Sequence, residues 1–70
     1  MTTKHVKIKT GFIKLDQFLK FTGAAETGGH AKQLVQEGLV RYNGETCLQR
    51  GKKLFRGDEI AVEDVTYIID

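Results

Sequence analysis

The sequence predicts an α+β fold, with two neighbouring short helices packed on a small, mainly antiparallel sheet. Three observations lead there. Leu15, Phe18, Leu19 and Thr22, then Ala31, Leu34, Val35 and Gly38, recur at i, i+3, i+4 and i+7, the stripe of an amphipathic helix. The connection between the two stretches is short, which makes the helices neighbours. Before and after them the pattern alternates with period two, and Asn43-Gly44 is a strong hairpin signal.

The elements follow in order. Residues 6–10 alternate, so a first strand is expected with Val6 and Ile8 inward and Lys7 and Lys9 outward, broken by Gly11. Residues 12–22 are expected as the first helix. Asp16 falls in its first turn, where a carboxylate suits the positive end of the dipole. Asp16 also stands four residues before Lys20, the spacing of an ion pair on one face. Gly23 is placed to end this helix in a left-handed turn. Thr27 is a suitable N-cap for the next helix, which Gly28 and Gly29 open and Gly38 closes. Its outer face carries Gly29, Lys32, Gln33 and Gln36.

Residues 39–42 read as a strand, with Val40 and Tyr42 on one face and Leu39 and Arg41 on the other. Asn43-Gly44 makes a type I′ turn, and residues 45–48 return. Residues 49–53 form a basic turn, Leu54-Phe55 a short apolar piece, and residues 56–58 another turn. Residues 59–63 alternate with Ile60 and Val62 inward, and residues 65–69 are the last strand.

Size and composition set limits. Seventy residues make one domain, 1–70, with no room for a second core. Hydrophobic residues at 40% with charged residues at 29% fit a globular chain rather than a disordered one. So small a core leaves no room for an internal catalytic cavity, and function is expected on the surface. Cys47 is the only cysteine, so no internal disulfide forms and a reducing compartment is expected. No stretch approaches the ~18 apolar residues of a membrane span, and the start of the chain lacks a signal-peptide core. A cytoplasmic protein with no membrane partner is the expectation.

The charge is uneven. Residues 1–56 hold all eleven Lys and Arg against four acids, a balance of +7, while residues 57–70 hold five acids and no base. Such asymmetry points to a polyanionic partner for the basic part. A solvated surface with scattered charges is the plainer alternative.

The candidate residues divide in the same way. Two glycines beside Lys32 offer free helix N–H groups to a phosphate, or they serve a tight turn between the helices. Lys14, Lys20 and Lys32 lie on outer helix faces, Arg41 projects from the hairpin, and Arg50, Lys52 and Lys53 crowd one turn. Together they suit phosphates, although any one of them taken alone is an ordinary exposed side chain. Asn43 is explained by the turn alone. His30 is read as an exposed helix residue, or as a contact to phosphate or base. His5, His30 and Cys47 lack metal-ligand spacing, so no metal or cofactor is expected. No nucleotide-binding or nucleophile-elbow motif occurs. Most aromatics fit apolar faces, with Phe21 and Phe55 as exceptions.

A family resemblance emerges from these residues. Leu15-Asp16-x-x-Leu19, Gly23, and Thr27-x-x-x-Ala31-Lys32-x-Leu34-Val35-x-x-Gly38-x-Val40-x-Tyr42-Asn43-Gly44, closed by Gly57-Asp58-x-Ile60-x-Val62, resemble the alpha-L RNA-binding domain of ribosomal small-subunit protein four. The match covers about residues 13–62. Gly28-Gly29-x-Ala31-Lys32 with Arg50-Gly51-Lys52-Lys53-Leu54 further resembles its small stand-alone bacterial members. The resemblance implies a cytoplasmic, monomeric, non-enzymatic protein that binds structured RNA, ribosomal RNA ahead of transfer RNA. It places the RNA-binding residues at Lys14, Lys20, Gly28, Gly29, His30, Lys32 and Gln33 on the helices, and at Arg41, Asn43, Arg50, Lys52 and Lys53 on the hairpin and turn. Many members carry an arginine where this chain has Gly28, so backbone donors would take the place of a guanidinium there. The rival reading is a protein-interaction module that docks on a ribosome-associated factor.

Overall fold

The computed structural model describes residues 2–70. Its elements are β1 (Thr2–Val6), β2 (Ile13–Lys14), α1 (Leu15–Thr22), α2 (Gly28–Gln36), β3 (Val40–Tyr42), β4 (Glu45–Thr46), β5 (Lys53–Leu54), β6 (Glu59–Val62) and β7 (Val65–Ile69). The α+β reading is correct. Five strands form one sheet in the order β1-β7-β6-β3-β4. All its pairings are antiparallel except β1 with β7, which is parallel. A second, two-stranded piece pairs β2 with β5.

The helices form for the reasons their periodicity gives. Leu15, Phe18 and Leu19 of α1 and Ala31, Leu34 and Val35 of α2 are buried. They meet Val40, Ile60, Tyr67 and Ile69 from the inner face of the sheet. Phe18 lies edge-on to Tyr67, with centroids 5.7 Å apart and an interplanar angle of 88°. Full burial of one such side chain contributes about 1.5–3 kcal/mol. Gly23 ends α1 at φ 83°, a left-handed conformation that costs glycine little. Thr27 caps α2 by accepting the His30 N–H at 3.0 Å. Asn43 and Gly44 both take positive φ, as a type I′ turn requires.

Four expectations need correction. The first strand occupies Thr2–Val6 rather than residues 6–10, because its position is set by parallel pairing with β7 from Thr2↔Val65 to Val6↔Ile69. Beyond Val6 the chain leaves the sheet, and Ile8 is buried from a loop instead. The first helix begins at Leu15, not at residue 12, because Ile13 and Lys14 pair with Leu54 and Lys53. Asp16 makes no ion pair with Lys20; its carboxylate accepts the Gln17 N–H at 2.8 Å. The return strand of the hairpin ends at Thr46; the Cys47 N–H still donates to the Val40 carbonyl at 2.9 Å, and Leu48 lies beyond the pairing.

Candidate nucleic-acid interface

The start of α1 is where the basic residues gather. The N–H groups of Leu15 and Asp16 donate to the carbonyls of Lys52 and Arg50 at 2.9 and 3.0 Å. The helix therefore uses two of its free first-turn donors on the basic turn. This docking brings the main chain of Lys14 beside that of Arg50, Lys52 and Lys53. Lys14 and Lys53 are direct cross-strand partners, so their side chains share one face. Like charges in that position are destabilising, and no acid relieves them. Among the described residues no Lys or Arg side chain is paired with a carboxylate; the one such contact is between His5 Nδ1 and the Asp70 carboxylate, at 3.1 Å. Lys53 Nζ lies 4.9 Å from the Phe12 ring centroid and Lys52 Nζ 4.9 Å from that of Tyr42. These cation–π contacts hold the ammonium groups without neutralising them.

The start of α2 presents a different surface. A Cβ added at Gly28 would meet nothing within 4 Å, and one at Gly29 only Thr27 Oγ1 at 3.9 Å. Neither glycine takes positive φ, so neither packing nor backbone conformation requires them. The space beside the backbone at both glycines is open. His30 has a structural task as well: its Nδ1 accepts the Glu26 N–H at 3.2 Å. Together with the Thr27 cap this makes a reciprocal arrangement like a capping box. Lys20, Lys32 and Gln33 are exposed, and the Gln33 amide donates to Glu37 at 3.4 Å.

Two predicted residues stand apart. Arg41 alternates with the inward Val40 and Tyr42. It therefore lies on the outer face of the sheet, beside Leu39, Ala61, Glu63 and Thr66, away from the helices. Both ends of the Asn43 amide are engaged, Oδ1 by the Glu59 N–H at 2.8 Å and Nδ2 by Asp58 at 3.4 Å.

Asp58 is the organiser that the sequence did not reveal. Its carboxylate accepts the Tyr42 hydroxyl at 3.1 Å and the Phe55 N–H at 2.8 Å, as well as Asn43. It thus ties the hairpin to the turn that follows the basic segment. Burial, with help from the hydrogen bond to Asp58 and the charge of that carboxylate, raises the Tyr42 pKa above its ordinary value. Gly57-Asp58 gave a turn signal, but nothing local gave the partner. The exposed aromatics were legible only in part. Phe21 and Phe55 are exposed as expected, and Phe12 joins them because it precedes the helix.

Among the described residues no three His, Cys, Asp or Glu side chains cluster to hold a metal, and no helix is long and apolar enough to cross a membrane.

Comparison with known proteins agrees with this architecture. Residues 6–70 match the family model described as the S4 domain. The match runs past the 13–62 core of the resemblance at both ends. A Bacillus subtilis (strain 168) protein named "Probable ribosome maturation protein RlbA" is 40% identical over 58 residues, covering 83% of this chain and 82% of that protein.

Proposed function

The chain belongs to the S4 domain family, and from this premise we propose that residues 1–70 act as one non-catalytic RNA-binding unit in the cytoplasm. The bound molecule is structured RNA, ribosomal rather than transfer RNA, in the setting of ribosome assembly or translation. The observation that carries the reading is the unneutralised group Lys14, Arg50, Lys52 and Lys53 at the start of α1. Cross-strand lysines that repel each other are a standing cost to the fold, and a phosphate placed between them removes it. Lys20 and Lys32 extend the positive surface along the helices. The free backbone at Gly28 and Gly29 admits a phosphate close to the first N–H groups of α2. Such contacts read backbone position, 2′-hydroxyls and shape rather than sequence. The ribosomal setting rests on the name of the Bacillus subtilis relative.

The test is the salt dependence of binding to fragments of ribosomal RNA. Affinity should fall steeply, with a log–log slope of about −0.7 to −0.9 per phosphate neutralised. Lys32→Glu combined with Lys53→Glu should weaken binding across RNAs and flatten the slope. Salt-independent binding, or unchanged affinity in the double variant, would refute the reading. Capture of a ribosome-associated protein that survives nuclease treatment would favour a protein-docking module instead.

A further inference from the structure

A groove borders this lysine group, sharing with it the Phe12 ring that Lys53 contacts. It lies between the loop before β2 and the outer side of α1. It is an open depression of about 650 Å³ lined by the apolar Phe12, Ile13 and Phe21 and by Thr10, Gln17 and Lys20. A second depression of about 300 Å³ continues from it past Ile13 and Phe21 to Lys7 and Lys9. Volumes of this size hold small organic groups.

Three features define what fits there. Phe21 is 62% exposed, so its aromatic surface is open to a ligand, whereas Phe12, 39% exposed, already carries the Lys53 ammonium over its ring and packs against Phe55. Lys7, Lys9 and Lys20 line the two depressions and no carboxylate does. The loop is also held in place. Ile8 is buried beneath it, Arg56 Nη2 donates to the Ile8 carbonyl at 3.0 Å, and the Thr10 hydroxyl donates to the Phe12 carbonyl. A fixed aromatic wall flanked only by cations and an amide suits a flat heteroaromatic ring attached to phosphates.

We infer that this groove holds one unpaired nucleobase of the bound RNA, stacked on Phe21, with Lys20 and the Lys7–Lys9 pair on the flanking phosphates. The inference rests on the RNA-binding reading and deepens it: the protein prefers RNA helices interrupted by a bulged nucleotide. Paired bases are already stacked in the helix and have no face to offer the groove.

The experiment compares two RNA hairpins at low salt that share the same compact, internally stacked loop, one with a fully paired stem and one with a single 2-aminopurine bulge in the stem. The bulged hairpin should bind about 5- to 150-fold more tightly, the range expected for stacking one base, and 2-aminopurine fluorescence should be quenched on binding. Phe21→Leu should abolish the preference and the quenching while leaving the paired hairpin bound as before. Phe21→Tyr should retain both effects. Circular dichroism melts verify that each variant is folded. Equal binding of the two hairpins by the native chain, or a preference that survives Phe21→Leu, overturns the inference and leaves the RNA-binding reading standing. Failure to bind either hairpin or any ribosomal RNA fragment overturns both. Tight capture of an apolar peptide in the groove, with no base quenching, assigns the groove to a protein partner and overturns the inference.

Discussion

The backbone N–H of Asp16 donates to the carbonyl of Arg50 at 3.0 Å, so a loop distant in sequence caps the first helix. The contact is made by main chain on both sides. The side chains of the basic turn are therefore left free of any capping task, and their charges can be changed without undoing the cap.

Lys14→Glu should separate stability from binding, and unlike a change at Lys53 it spares the cation–π contact with Phe12. It converts the Lys14–Lys53 cross-strand pair from like to opposite charge, which should stabilise the fold by a few tenths to about 1 kcal/mol. RNA affinity should fall in the same variant. Arg41→Glu, on the outer sheet face, should change affinity far less. Urea unfolding and fluorescence anisotropy on the same preparations check both outcomes.

Gly28→Ala and Gly29→Ala should also move the two properties in opposite directions. Each methyl has room, and alanine gains up to about 1 kcal/mol over glycine in a helix. A phosphate drawn to the exposed N–H groups would meet the new methyl, so RNA should bind less tightly. A stabilised variant with native affinity would remove this helix start from the interface.

Asp58→Ala should destabilise the fold by about 1–3 kcal/mol, because it leaves the Tyr42 hydroxyl and the Phe55 N–H without their acceptor. Chemical denaturation gives the value directly. A change within a few tenths of a kcal/mol would show that water replaces the carboxylate at no cost.

Alkaline pH should weaken the fold through Tyr42. Its pKa is raised in the folded chain, so the native state holds the phenolic proton more tightly than the unfolded state does. The resulting stability is complete below the ordinary tyrosine value of about 10 and is lost as pH rises through the raised value. Tyr42→Phe should lose less stability than the native chain as pH rises above about 10. Parallel curves for the two proteins would count against this.

Much of the fold was legible because its signals are local. The stripes of Leu15, Phe18 and Leu19 and of Ala31, Leu34 and Val35 each fall within one helix, and Asn43-Gly44 specifies its own turn. The misplaced first strand marks the limit. Val6 and Ile8 alternate as a strand should, yet the ladder forms over Thr2–Val6, because the pairing surface comes from the far end of the chain. The Ile13–Leu54 pairing was out of reach for the same reason, since two residues on each side carry no period. The candidate site divides likewise. The basic turn could be read from composition, but its seat on α1 is a backbone contact that side-chain identity does not encode. Arg41 was grouped with the helix lysines because alternation gives a face only relative to its own strand.

The parallel pairing of Thr2–Val6 with Val65–Ile69 has a mechanical consequence. Residue 2 lies at one end of this pair and residue 70 at the other, where the Asp70 N–H donates to the Val6 carbonyl at 2.8 Å. Tension applied between the two ends of the chain acts along the strands, in shear. The interstrand hydrogen bonds then share the load together instead of opening one at a time. The same ends that lie beyond the 13–62 core are thus the clasp through which the fold would resist being pulled apart.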